Sequence, residues 1–154
     1  MRRLMRKATT ESTKSKLYEL MCSADTLYKQ VKFFHWVVNG DNYIATHRFL
    51  DEVSEELTSV VDLVAERLVY LGHVPIFNPK NVYNSSNFKY VDVEKYDGFS
   101  SISIIIDGLN VLIKELETIT EDSGNEKDYG TQQFVAEVLY KLEVLKHHLQ
   151  SFGN

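Results

Sequence analysis

The sequence predicts an all-α fold: four long helices, with an extended crossover between the second and third. Three observations carry that prediction. Apolar residues recur at three- and four-residue spacings along most of the 154 residues. Both prolines, Pro75 and Pro79, fall in one polar and aromatic stretch, leaving the periodic segments unbroken. The rest is rich in Leu, Val, Glu and Lys, which suits helix. At 44% hydrophobic content the chain is large and apolar enough for one compact core.

Residues 1–11 read as a basic, flexible arm and residues 12–154 as the folded domain. The first 16 residues hold six basic side chains against Glu11, while the remainder holds 11 basic and 21 acidic residues. A basic arm on an acidic body is a pattern that can reach phosphates. The arm lacks the apolar centre of a signal peptide, and no stretch is apolar enough to span a bilayer. A lone cysteine, Cys22, excludes an internal disulfide and fits a reducing cytoplasm. Its helical neighbours make it a packing residue.

A first helix is expected from residue 12 or 13 to about 38, with Leu17, Leu20, Met21, Ala24, Leu27, Tyr28, Val31 and Phe34 as its apolar stripe. His35 sits at the edge of that stripe and reads on its own as a packed or capping residue; Trp36 reads as core. Asn39-Gly40-Asp41-Asn42 is a turn with an N-cap. The second helix then spans about 43–71 and ends at Gly72. Residues 73–98 form the crossover, with a short helix expected over 83–90. Ser100 or Ser101 is expected to cap a third long helix. An acidic, flexible loop follows at 121–128, and a fourth long helix runs over about 131–150.

The second helix carries the chemistry. At roughly 100° per residue, His47, Asp51, Asp62 and Glu66 fall in one sector, away from the core stripe of Leu50, Val53, Leu57, Val60, Val64, Leu68 and Leu71. Asp51 and Asp62 are separated by roughly 16 Å of helix, too far to share an ion whose ligands stand about 2–2.5 Å away. The stripe therefore holds two half-sites, His47/Asp51 and Asp62/Glu66. An antiparallel copy across a two-fold axis would set one against the other. The plain alternative is a solvated polar face. Its inner part holds no lysine, whereas exposed faces ordinarily mix both signs. No glycine-rich phosphate loop, CxxC pair or serine triad signature is present. His147 and His148 are adjacent, point about 100° apart and suit a surface role.

The run His35-Trp36, Asn39-Gly40, His47, Asp51-Glu52, Glu55, Asp62, Ala65-Glu66-Arg67, Leu71-Gly72 and Pro75 resembles the Dps family of ferritin-like mini-ferritins. The likeness is strongest over residues 15–75. It implies a ferritin-like bundle, which needs a long link between its second and third helices. It also implies a ferroxidase that oxidises Fe(II), preferably with hydrogen peroxide, and stores ferric mineral in a hollow dodecamer. His35, His47 and Asp51 of one chain would meet Asp62 and Glu66 of its two-fold mate as the iron ligands and catalytic residues. Histidine and carboxylates with open positions suit iron. The within-bundle ferritin pair, glutamate followed three positions later by histidine, is absent, in keeping with an intersubunit site.

The family's common acidic residues near the three-fold pore are replaced here by Gln132 and Gln133, leaving Glu121, Asp122, Glu126 and Asp128 as candidates. A tryptophan common in the family's last helix is missing. The alternative function is DNA binding through the basic arm, which a gel shift with and without residues 1–16 separates. A third reading is an adhesion or signalling module that keeps the fold without the oxidation.

Overall fold

The computed structural model describes residues 9–152, which form five helices and, among these residues, no strand. They are α1 (Glu11–Val37), α2 (Tyr43–Tyr70), α3 (Pro79–Ser85), α4 (Gly98–Asn125) and α5 (Tyr129–Phe152). Most of the expected arm, residues 1–8, lies outside the described residues. The four-helix bundle and its crossover, carrying one short extra helix, are as the sequence predicts.

Short links make two antiparallel hairpins, α1–α2 and α4–α5, and α1 packs against α4 to join them. Their apolar stripes meet in one core, where Leu17, Leu20, Met21, Leu27, Phe34, Leu50, Leu57, Leu68, Ile105, Leu109, Leu112 and Leu116 are fully buried. Gly108 allows the close approach of α1 and α4, since a Cβ there would stand 2.4 Å from Leu27 Cδ1. Cys22 is buried, and burial pushes its thiol up to about 11, which keeps it unreactive. Among the described residues, no helix is long and apolar enough to cross a membrane.

Helix ends follow local chemistry, in places other than expected. Thr10 caps α1, its side chain accepting from the Thr13 amide. At the end of α2, Gly72 takes φ +80°. Its amide bonds the Val69 carbonyl at 2.9 Å and the His73 amide bonds the Leu68 carbonyl at 2.9 Å. This double closure needs a left-handed residue, hence glycine.

The short helix begins at Pro79, not at residue 83. Asn78 accepts from the Asn81 amide at 3.0 Å, and Pro79 occupies the first turn where its missing N–H costs nothing. Asp97, not Ser100 or Ser101, caps α4, because its carboxylate reaches both the Ser100 amide and hydroxyl at 2.9 Å. The acidic loop is only residues 126–128. Helix α4 continues to Asn125, with buried Ser123 bonding back to the Ile119 carbonyl at 2.6 Å.

The crossover runs from the Tyr70 end of α2 to the opposite end of the bundle, where the Asn39 amide bonds the Tyr96 carbonyl at 3.0 Å. Polar groups of α1 pin it in order. Tyr18 donates to the Ile76 carbonyl at 2.7 Å, and Ser23 Oγ accepts from the Asn87 amide at 2.9 Å. Fully buried Gln30 bonds both the amide and the carbonyl of Val91, at 2.7 and 3.2 Å. Buried polar side chains are satisfied in this way, and here they fix the path of a segment without periodic structure.

Glu115 lies beneath this seam. Its Oε1 accepts from Asn87 at 2.7 Å and from Ser23 at 3.1 Å, while its buried Oε2 has no partner. Burial pushes this carboxyl from 4.5 up to about 7, with Glu19 adding repulsion and the bonds from Asn87 and Ser23 opposing. Between those values the folded chain holds a proton that the unfolded chain has released, so stability falls as pH rises through the window. Glu115→Gln is expected to leave stability nearly unchanged at pH 4, below both values. At pH 8 it should raise stability by up to about 3 kcal/mol. Thermal unfolding at both pH values reads this directly, and an equal effect at both would refute the assignment.

Candidate metal centre

Helix α1 ends at Val37 and α2 begins at Tyr43, so the chain reverses over residues 38–42. Asn42 makes the reversal in the left-handed region, φ +62°, without a side-chain cap. That fold-back lays the last turn of α1 on the first turns of α2. His35 and His47 stack there, with ring centroids 3.8 Å apart and planes within 20°.

Each imidazole is moored to the backbone of the other's residue. His35 Nδ1 lies 2.9 Å from the His47 carbonyl, and His47 Nδ1 lies 2.8 Å from the His35 carbonyl. A carbonyl only accepts, so both Nδ1 atoms carry the hydrogen and donate. In the neutral rings each lone pair is therefore on Nε2, the tautomer a metal ligand needs. The bond to the His35 carbonyl also satisfies one of the groups that a helix C-terminus leaves open.

Asp51 stands one turn beyond His47, and its Oδ1 is 3.9 Å from His35 Nε2. Ligands about 2.0–2.2 Å from one transition metal lie at most about 4.3 Å apart, so these two atoms fit a shared ion. Lys32, one turn before His35, donates to the same Oδ1 at 3.1 Å. The Lys32 hydrogen bond holds the Asp51 carboxyl below the usual carboxylate range, with Lys32, His35 and His47 charges assisting. Lys32 went unnoticed because it lies on the other helix. Its three-residue offset from His35 was the available signal.

Asp62 and Glu66 are not part of this cluster. They lie farther along α2, exposed, in a shallow depression with Glu55, Thr58, Ser59 and Leu63. Among the described residues, no three His, Cys, Asp or Glu side chains of a single chain group closely enough to hold an ion.

Other expectations change. Trp36, expected in the core, is 69% exposed, because its neighbours Phe34 and Val38 take the buried positions. Besides His35, the ring of Tyr43 lies against His47, at a centroid distance of 5.4 Å. Three of the four pore candidates are held within the chain. Asp122 pairs with Lys16. Glu126 Oε1 accepts from Thr10 at 2.6 Å and Thr13 at 2.7 Å. Asp128 accepts from Arg67 at 3.1 Å, from Thr131 and from Thr9. Glu121 is exposed, as are His147 and His148.

A family model for the ferritin-like domain matches residues 14–153. The DNA protection during starvation protein of Halobacterium salinarum is 31% identical over 126 residues, covering 82% of this chain and 69% of that protein. Among solved structures, the Dps protein of Vibrio cholerae, described as a member of a broad superfamily of ferritin-like diiron-carboxylate proteins, superposes with a TM-score of 0.89. It is 22% identical and covers 94% of this chain and 90% of that one. A dodecameric thioferritin from Bacteroides fragilis superposes with a TM-score of 0.89 at 23% identity, covering 95% of this chain and 86% of that one. The stacked histidines, the carboxylate within reach of one of them and these likenesses agree: the chain belongs to the ferritin-like family, among the Dps proteins.

Proposed function

We propose that this protein is an iron-oxidising and iron-storing Dps protein whose substrate is Fe(II) and whose preferred oxidant is hydrogen peroxide. The observation that carries the reading is the donor set on one chain. Backbone carbonyls hold both rings with the Nε2 lone pair free, and the Nε2 of His35 lies 3.9 Å from the Asp51 carboxylate. Imidazole and carboxylate oxygen are ligands that iron accepts while keeping positions open for an oxidant.

A single chain supplies only part of a ligand set. In the proposed assembly a two-fold mate brings Asp62 and Glu66 to His35, His47 and Asp51, completing the site at the dimer interface. Carboxylates stabilise Fe(III) over Fe(II) and so favour the oxidised product. Two Fe(II) give two electrons to one peroxide, which takes up two protons and leaves as two waters. No hydroxyl radical is released. Twelve chains would enclose a cavity that stores the ferric product, as the dodecameric relative and the exposed large apolar side chains Val74, Ile76, Phe77 and Tyr70 support. Such residues on a soluble domain mark contact surfaces. A cytoplasmic location goes with this reading. Of the basic residues on which the DNA-binding alternative rests, Lys14 pairs with Glu11 and Lys16 with Asp122.

Anaerobic titration with Fe(II) tests the reading. Peroxide is expected to oxidise bound iron at two Fe(II) per peroxide without hydroxyl radical trapped by a spin probe, in particles sedimenting as dodecamers. Oxidation no faster than in buffer, or a one-to-one stoichiometry with trapped radical, would remove it.

A further inference from the structure

Lys32 is a cation already seated on the carboxylate that the metal requires. It reaches from α1 across to α2, its side chain is 21% exposed, and its Nζ donates to Asp51 Oδ1 at 3.1 Å. That is the same oxygen that faces His35 Nε2 at 3.9 Å. Lys32 and His35 lie three positions apart on α1 and so project to one side of it. A divalent ion entering between His35 and Asp51 meets an ammonium bound to its own ligand. Either the ammonium leaves or the two cations share one oxygen at close range, which Coulomb repulsion opposes.

We propose that Lys32 is a built-in competitor for the metal: it holds Asp51 in the metal-free chain, is displaced when a divalent cation enters, and thereby weakens the site's affinity. Lys32 acts as a positioning residue through Asp51. Before metal arrives it keeps the carboxylate aimed at His35, and it sets an affinity low enough for the centre to take up and pass on its substrate. This deepens the iron-oxidation reading and rests on it.

Cobalt(II), which is not oxidised under these conditions, isolates binding from turnover. The assembled protein is titrated anaerobically and followed by the visible absorption of imidazole-bound cobalt, for the natural chain, Lys32→Met, Lys32→Arg and His47→Ala. Lys32→Met is expected to tighten binding by about tenfold, the scale of one lost charge competition. Lys32→Arg should stay within about threefold of the natural chain, because it keeps the competing charge. Equal or weaker binding by Lys32→Met, or an arginine variant as tight as the methionine one, overturns the proposal. A merely structural lysine would give weaker binding when lost, not tighter. If the natural chain gives no cobalt spectrum that His47→Ala removes, the iron-oxidation reading falls and this inference falls with it. If that spectrum is present and Lys32→Met leaves its titration unmoved, only the inference falls.

Discussion

Asp62→Asn is expected to lower peroxide-dependent Fe(II) oxidation by about a hundredfold, and His47→Ala by a similar factor. Loss even of groups that only support metal ligands costs about 10–100-fold, so ligands themselves belong at the upper end. Asp62 is exposed and half-buried His47 stays outside the apolar core, so the bundle should assemble unchanged. The informative step is to mix them. Each dead variant retains the half-site that the other has lost.

If a centre is built from two chains across a two-fold axis, random re-assembly of equal amounts makes half of the pairs mixed. Each mixed pair then holds one intact centre and one doubly broken one. About a quarter of the natural activity should return. A centre built within one chain would recover none. Stopped-flow iron oxidation on dissociated and re-associated protein distinguishes the two outcomes, and no recovery would refute the shared centre whatever the single variants do.

Asp128→Ala is expected to destabilise the assembled protein by about 3 kcal/mol or more. Asp128 is nearly buried and joins three parts of the chain: Arg67 of α2, Thr131 of α5 and Thr9 before α1. Its removal strands the Arg67 guanidinium, whose side chain is 22% exposed. Burial raises the Asp128 carboxyl, but the bonds from Thr131 and Thr9 and the Arg67 charge outweigh it and leave the pKa below the ordinary value. This stabilisation is therefore present above the unfolded carboxylate range and is lost as pH falls through the lower, folded value. Thermal unfolding at neutral pH should show a drop of roughly 6–12 °C. The drop should shrink in acid, where the natural chain loses the same bonds. A pH-independent drop would point to packing, not charge.

Periodicity located the long helices because each buries a continuous stripe, and that stripe is written in the residues themselves. It placed Leu50, Val53, Leu57, Val60, Val64 and Leu68 correctly, all of them buried, while Leu71 at the end of the stripe is only partly buried. Where order comes from polar bonds between distant segments, spacing is silent. Tyr18, Ser23 and Gln30 look like ordinary helix positions until the crossover is laid along them. Ser100 and Ser101 are expected as caps of α4, but Asp97, three residues before Ser100, binds both the amide and the hydroxyl of that serine. Trp36 was read as core from its chemistry alone, although Phe34 and Val38 already fill the buried side of that turn.

Within the centre, helical spacing brought His47 and Asp51 to one face, and the resemblance alone added His35. Lys32 escaped both routes, since it becomes relevant only when two helices are set side by side. Asp62 stands roughly 16 Å along α2 from Asp51, so its part of the proposed centre can come only from a second chain.

The mooring of the two imidazoles has a consequence for how this protein tolerates change. Main-chain oxygens anchor them, and a main-chain oxygen persists through every substitution. Replacing one ring removes a stacking partner but leaves the other tethered in the same orientation. The lineage can thus edit one donor without scrambling its neighbour, and the surviving ring stays preset for whatever ion the altered pocket prefers.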